Sequence, residues 1–204
     1  MAQETQPLQL LTELDAVNLM LNAIGETPVN SISDTGLADA VIALQTLRNT
    51  SRQLQQKGWK WNTLRNYTLS PTAPLPGKIP VPTNTLSVDA TGTYFENRSF
   101  DYTDEGGYLF DVTNGTNLFS NSVKVDIVLL KEFEKLPSPA RDLIASRAAR
   151  RFQQATIGSA TLSQFQGIDE SDCERTLQKW ESSNANANVL SGSASLSRIF
   201  RNRR

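Results

Sequence analysis

The chain has no histidine, a single cysteine (Cys173) and no long apolar run. Without histidine, no side chain changes charge near neutral pH at its ordinary pKa, and general acid–base relays lose their commonest member. One thiol makes no internal disulfide, and with no histidine beside it there is no Cys/His zinc site. Cys173 falls on an apolar stripe, which points to a buried inert thiol and not to a nucleophile. The longest purely aliphatic stretch, Ile127 to Leu130, is far short of the roughly 20 residues that cross a bilayer. The polar residues 1–7 show no signal-peptide apolar region. The expectation is a soluble protein, kept in the cytosol or assembled there into something larger, with no membrane contact. Neither a P-loop nor G-x-G-x-x-G occurs, so a nucleotide motor is not supported.

Charge of one sign is also lacking: 20 Lys and Arg stand against 21 Asp and Glu, a formal net charge of −1. A dedicated nucleic-acid binder draws phosphate with a basic excess that this chain does not have. What is present is enough apolar material, 38% of 204 residues, for one compact domain or two small interleaved ones. Thr12 is placed as an N-cap, with Val17, Met20, Leu21 and Ile24 following at helical spacing until Gly25 offers a left-handed stop. A second helix is expected over 36–57, with Leu37, Val41, Leu44, Leu47 and Leu54 on one stripe and Arg48, Arg52, Gln55 and Gln56 largely opposite.

Between residues 59 and 137 the pattern changes. Six of the nine prolines fall here and the helical period is lost. Strands are expected over 61–69, 86–90 and 123–130, with Ile79 and Val81 as a short edge segment between prolines. Asn114-Gly115 suits a two-residue type I′ turn, which would set Phe110 opposite Phe119. Ser138-Pro139 then reads as N-cap and N1 of a third helix, carrying Leu143, Ile144, Ala148 and Phe152 inward and Arg141, Arg147, Arg150 and Arg151 elsewhere. A fourth helix is expected over 161–182, with Leu162, Phe165, Ile168, Cys173, Leu177 and Trp180 on its stripe and Gly167 as a possible break. The resulting fold class is α+β. A bundle of about four helices from 1–60 and 137–182 surrounds the ends of an inserted β-rich domain, 61–136, and 183–204 forms a linker and basic tail.

Few residues suggest chemistry. Asp101 to Gly106 resembles half of a calcium loop, but Val112 stands where a bidentate Glu is required. Nothing in spacing selects a carboxylate pair for glycoside hydrolysis. Trp59 and Trp61 either stack on sugar rings or mark the hinge where a helix enters the core. No catalytic residue, cofactor or metal is expected, and no enzymatic activity.

The string Leu14-Asp15-Ala16-Val17-Asn18, continuing through Leu21-Asn22-Ala23-Ile24-Gly25-Glu26-Thr27-Pro28-Val29-Asn30-Ser31, is followed by Ala38-Asp39-Ala40, Leu44, Gly58-Trp59 and Trp61-Asn62. Together these closely resemble the start of the tail tubular protein A family, the head-to-tail adaptors of short-tailed podoviruses of the Autographiviridae type. The helix with Pro139, Arg147, Ala148 and Phe152 is consistent with it. The resemblance implies a helical bundle with a β domain inserted, forming a homo-oligomeric ring, twelvefold in the family. That ring sits in the virion tail between the portal protein and the nozzle of tail tubular protein B, after assembly in the host cytoplasm. Genomic DNA would pass through it without sequence-specific binding, and a tail fibre is a further candidate contact.

An adaptor must close a ring, grip two partners and let DNA slide. For closure, Arg147, Arg150 and Arg151 could face Glu170 and Asp172 of a neighbouring copy; an ordinary solvated face is the bland alternative. For the grip, a Ser/Asn/Ala linker ends in Leu196, Arg198, Ile199, Phe200, Arg201, Arg203 and Arg204. Burying its apolar side chains against the portal roughly offsets the cost of ordering one tail, so a ring of tails becomes a collective latch. A frayed end or weak contact with DNA phosphate are the rivals. Asp101, Asp104, Glu105 and Asp111 line the bore or decorate β-loops. The alternative function is a carbohydrate-binding or glycoside-hydrolysing tail component acting on host surface polysaccharide.

Overall fold

The computed structural model describes residues 10–32, 37–90 and 101–184. The first helix, α1 (Glu13–Ile24), begins where Thr12 and Asp15 cap each other. The Asp15 N–H donates to Thr12 Oγ1 (3.1 Å), and the Thr12 N–H donates to Asp15 Oδ2 (3.0 Å). Both are helix-end donors that would otherwise lack partners, and the Thr12 hydroxyl, donating to Asp15 Oδ2 at 2.6 Å, together with the Thr12 N–H holds the Asp15 carboxyl below its ordinary pKa. Gly25 at φ 84° ends the helix. Three more helices follow: α2 (Ala38–Gln55), α3 (Ser138–Thr156) and α4 (Ala160–Asn184).

Helix α3 is central, with α1 and α2 packed on it and on each other, and α4 laid along another side. Their common core holds Ala16, Val17, Met20, Leu21, Leu47, Leu143, Ile144, Phe152 and Leu177. Alanines at 40, 43, 140, 145, 148 and 149 are also buried in it; such small side chains let helix axes approach closely. Gly167 does not break α4, which runs unbroken for 25 residues. The start of α3 lies one residue earlier than Ser138-Pro139 suggests, because Pro137 takes the extended N-cap geometry.

The intervening chain builds β1 (Thr63–Leu69), β2 (Thr85–Ala90), β3 (Tyr102–Glu105), β4 (Tyr108–Asp111) and β5 (Val123–Leu129). Strands β1, β5 and β2 form an antiparallel sheet in that order, and β3 pairs with β4 as a hairpin. Ile79, Leu109, Val125 and Ile127, all fully buried, centre a second core. Strand β1 bulges at Asn66, whose φ is 54° and whose N–H donates to Asp126 Oδ1.

The Asn114-Gly115 expectation is overturned. Asp111 bridges Thr116 across a four-residue loop, Phe110 faces Thr103, and Phe119 pairs with Gly77 while packing edge-on against Tyr102. Buried Asp111 decides this, because its carboxylate accepts from both the backbone and side-chain amides of Asn114 and fixes a wider loop. The two-residue turn falls instead at Gly106-Gly107, where φ is 63° and 84°. The Asp101 to Gly106 stretch is thus mostly strand β3 and its turn.

Candidate assembly surfaces

Two chain crossings join the lobes, around residues 56–62 and 130–137, and two polar side chains tie them together. The Gln55 amide donates to Lys131 O (2.9 Å) while its Oε1 accepts the Lys131 N–H (2.8 Å). Asn62 Nδ2 donates to Gln55 O and Leu129 O, and its Oδ1 accepts the Trp59 N–H. Both residues are within 1% of fully buried, so each bond replaces water at a site that water cannot reach, and removing either partner leaves orphaned backbone groups. Periodicity put Gln55 on the outer face; the structure places it in the joint. Asn62 carried no chemical motif, only its place in the Gly-Trp-x-Trp-Asn string.

Trp59 and Trp61 pack partly buried against the helical core, and Trp59 Nε1 donates to Leu54 O. They belong to the joint and form no open stacking platform. Arg141, expected on the outside, is 6% exposed. Its guanidinium donates to the carbonyls of Leu136, Leu11 and Glu134, stapling the lead-in to α1 against the short 3₁₀ turn Phe133–Lys135.

The charges expected to meet across a subunit boundary meet inside one chain. Arg147 Nε and Arg150 Nε donate to the two oxygens of Glu170 at 2.5 and 2.6 Å, with Glu174 as a further partner of Arg147. Glu170 is 8% exposed. Burial pushes its carboxyl up, but the guanidiniums of Arg150 and Arg147 outweigh this and hold it below the ordinary range. The reason is α3–α4 packing: Arg147 and Arg150 lie on adjacent turns of α3, opposite Glu170 on α4. Arg151 turns to Gln53 and Thr50 of α2, and exposed Asp172 pairs with Arg175 one turn along α4. Leu196, Arg198, Ile199, Phe200, Arg201, Arg203 and Arg204 lie outside the described residues.

A cleft of about 640 Å³ lies between α1, α2 and the 130–135 crossing, lined by Glu13, Arg48, Arg52, Lys131, Glu134 and Lys135 among others. Arg48 is held by Glu13 at 2.9 Å. Charges of both signs alternate here, and no nucleophile–base pair is assembled. Cys173 is half-buried, and burial together with Asp142, Asp169, Asp172 and Glu170 raises its thiol pKa, the opposite of nucleophile activation. Among the described residues no cluster is placed to hold a metal ion, and no helix is long and apolar enough to cross a membrane. Asp101, Asp104 and Glu105 are exposed around β3.

What the surface does offer is apolar area on both flanks of the bundle. Leu162, Phe165 and Ile168 on α4 are 44%, 65% and 60% exposed, and Leu19, Leu37, Val41 and Ile42 around α1 and α2 are exposed by 39 to 49%. Residues of this kind, in patches, mark surfaces that other proteins cover.

Comparison with known proteins agrees with a surface built for assembly. Residues 14–187 match the family model described as tail tubular protein. The chain is also 35% identical, over 136 residues, to tail tubular protein A of Klebsiella phage KP34, a match covering 67% of this chain and 68% of that protein.

Proposed function

Because the chain belongs to the tail tubular protein family, and is thus a structural component of a phage virion tail, we propose that it is the head-to-tail adaptor. In this role a ring of copies, twelve by the family resemblance, joins the portal to the tail nozzle of tail tubular protein B, with a tail fibre as a further contact. The observation that carries the reading is the joint. An adaptor holds one partner at each end and must transmit position between them. Here Gln55 and Asn62 pin both chain crossings, which supports transmission of position from the helical lobe to the β lobe. A near-neutral chain also suits a channel for DNA, since a basic bore would retain the genome through counterion release.

Residues 196–204 serve in this proposal as the portal latch: Leu196, Ile199 and Phe200 enter apolar recesses and the arginines meet acidic groups. Multivalency turns one weak contact per copy into a firm one per ring. The reading involves no reaction. It is tested by mass measurement of the full chain, alone and mixed with purified portal, together with imaging of the virion. Copies in a ring beneath the capsid vertex are expected; a single copy, or a location elsewhere on the particle, overturns it. Deleting residues 197–204 should leave the helical circular dichroism unchanged and abolish portal capture. Undiminished capture would show that the latch lies elsewhere.

A further inference from the structure

Two apolar faces lie on separate helices, α2 and α4, which both pack on α3 and make little contact with each other among the described residues. The first is the leading half of α4 with the turn before it: Ile157, Leu162, Phe165 and Ile168, exposed by 44 to 65%. The second is the outer face of α2 with Leu37, Val41 and Ile42, exposed by 39 to 49%. Each face passes from apolar to charged along its helix, and the signs are opposite. Beyond Leu162 by seven and ten residues stand exposed Asp169 and Asp172; beyond Val41 by seven and eleven stand exposed Arg48 and Arg52. Such spacings fall on one helical stripe. Two helices laid side by side in the same direction would therefore bring apolar onto apolar and acid onto base, whereas the antiparallel arrangement would put the charges against the apolar ends.

The fold supplies that shared direction. Lys57, just past the end of α2, reaches Glu174 of α4 at 3.7 Å, and the Lys60 N–H donates to Glu181 Oε1 at 2.6 Å. The C-terminal ends of α2 and α4 thus lie at the same end of the bundle. A neighbour generated by a small rotation keeps nearly the same orientation, so its α2 runs along this α4 in the parallel sense. Faces of unlike composition on one molecule make a heterologous contact, the kind that closes into a ring when the rotation divides the circle.

We infer that the α4 face (Leu162, Phe165, Ile168, Asp169, Asp172) docks on the α2 face (Val41, Ile42, Arg48, Arg52) of a second copy of this chain, and that this contact closes the ring. The inference rests on the adaptor reading and deepens it by naming the subunit interface. Ion pairs contribute register and the apolar side chains contribute most of the affinity. Asp172 shares its exposed internal partner Arg175 at little cost, whereas Arg48 keeps its two-pronged bond to the part-buried Glu13 carboxylate and leaves Arg52 as the main cation offered to the neighbour.

The test uses the full chain, alone and with purified portal rings, followed by native mass spectrometry. Phe165→Asp and Val41→Asp, each at an exposed position and checked by circular dichroism, should each weaken assembly at least about tenfold. Mixed one to one, they should form dimers and stop there, because each variant keeps one intact face. A second pair, Asp172→Lys and Arg52→Glu, should each reduce assembly singly and restore rings when combined in one chain. Rings that form normally from Phe165→Asp or Val41→Asp overturn this interface and leave the adaptor reading standing. So does a mixture that stays monomeric, or a double charge swap that restores nothing. A wild-type chain that stays monomeric even with portal removes the adaptor reading itself.

Discussion

The two lobes are held together in different ways. In the helical lobe side chains dominate: a large apolar core, an Arg–Glu–Arg cluster joining α3 to α4, and Arg141 serving three carbonyls. In the β lobe the core is smaller and the backbone carries the shape. Segment 77–81 has too little length for a strand, yet the Leu109 N–H donates to Ile79 O, the Val81 N–H to Gly107 O, and Gly77 exchanges both bonds with Phe119. Gly77 must be glycine, since a Cβ there would sit 1.7 Å from Thr72 O. A side-chain-built lobe resists loss of backbone order and presents helix faces that vary without disturbing the core. A backbone-built lobe depends on long-range pairings that form late and open together.

The largest expected effect sharpens that contrast. Phe152→Ala empties the centre of the helical core and should cost about 3–5 kcal/mol, against about 2–4 kcal/mol for Leu109→Ala in the β lobe. Trp59, Trp61 and Trp180 all pack on the helical core, so urea unfolding followed by tryptophan fluorescence should register Phe152→Ala in full. Leu109→Ala should appear mainly as faster amide exchange in β3 and β4. Equal shifts in both probes for both variants would mean that the lobes are one cooperative unit and the contrast is only descriptive. Next comes Asn62→Ala at the joint, which leaves the Trp59 N–H without its acceptor and takes a donor from Leu129 O and from Gln55 O, the latter still served by the Gly58 N–H, and should cost about 1–3 kcal/mol. The expected signature is a wider gap between the tryptophan-detected transition and the opening of the β lobe than in the wild type. If that gap is unchanged, the joint does not couple the lobes.

The same contrast explains what was legible in the sequence. Helices announce themselves locally: Thr12 with Asp15, Gly25 and the stripe through Leu47 and Leu54 set α1 and α2 to within about two residues, because capping and periodicity are short-range signals. The positions of β1, β2 and β5 were also visible, but strand β3, hidden in the acidic stretch after Asp101, was not, and neither was the pairing. Asn114-Gly115 carries the stronger hairpin dipeptide, yet Asp111 overrode it, and Gly106-Gly107, a weaker but compatible turn signal, took the hairpin. Partners of polar side chains were least legible. Gln55 sits at an apparently outward position and is fully buried, since the second crossing, far along the chain, arrives exactly there to receive it. Glu170 could be assigned to an arginine partner but not to a chain, because the sequence records charge and spacing while α3–α4 packing decides who is near.

A third, smaller effect probes the side-chain-built lobe through pH. Glu170→Gln should cost about 1–2 kcal/mol at neutral pH. The Glu170 carboxyl titrates below its ordinary value in the folded chain. Its stabilisation is therefore complete above the unfolded carboxylate range and is lost as pH falls through the lower folded value. The gap between wild type and variant in urea midpoint should close from about pH 4.5 downward. A gap independent of pH would mean that the two arginines do not favour the charged form.

The smallest effect has the opposite sign. Gln153 on α3 is fully buried, and among the described residues neither amide atom has a hydrogen-bond partner. A buried amide without partners forfeits its hydration and gains nothing back. Methionine matches its length and flexibility while presenting no polar atom, so Gln153→Met should stabilise the helical lobe by about 1 kcal/mol. Amide exchange in α3 should slow and the β lobe should be unaffected. Destabilisation instead would show that the amide is satisfied on assembly or by local rearrangement, and that this lobe's core is less purely apolar than its neighbours Phe152 and Ala149 suggest. Running the variant in the ring assay separates those outcomes: an amide used between copies would cost assembly, whereas one used within the chain would cost only stability.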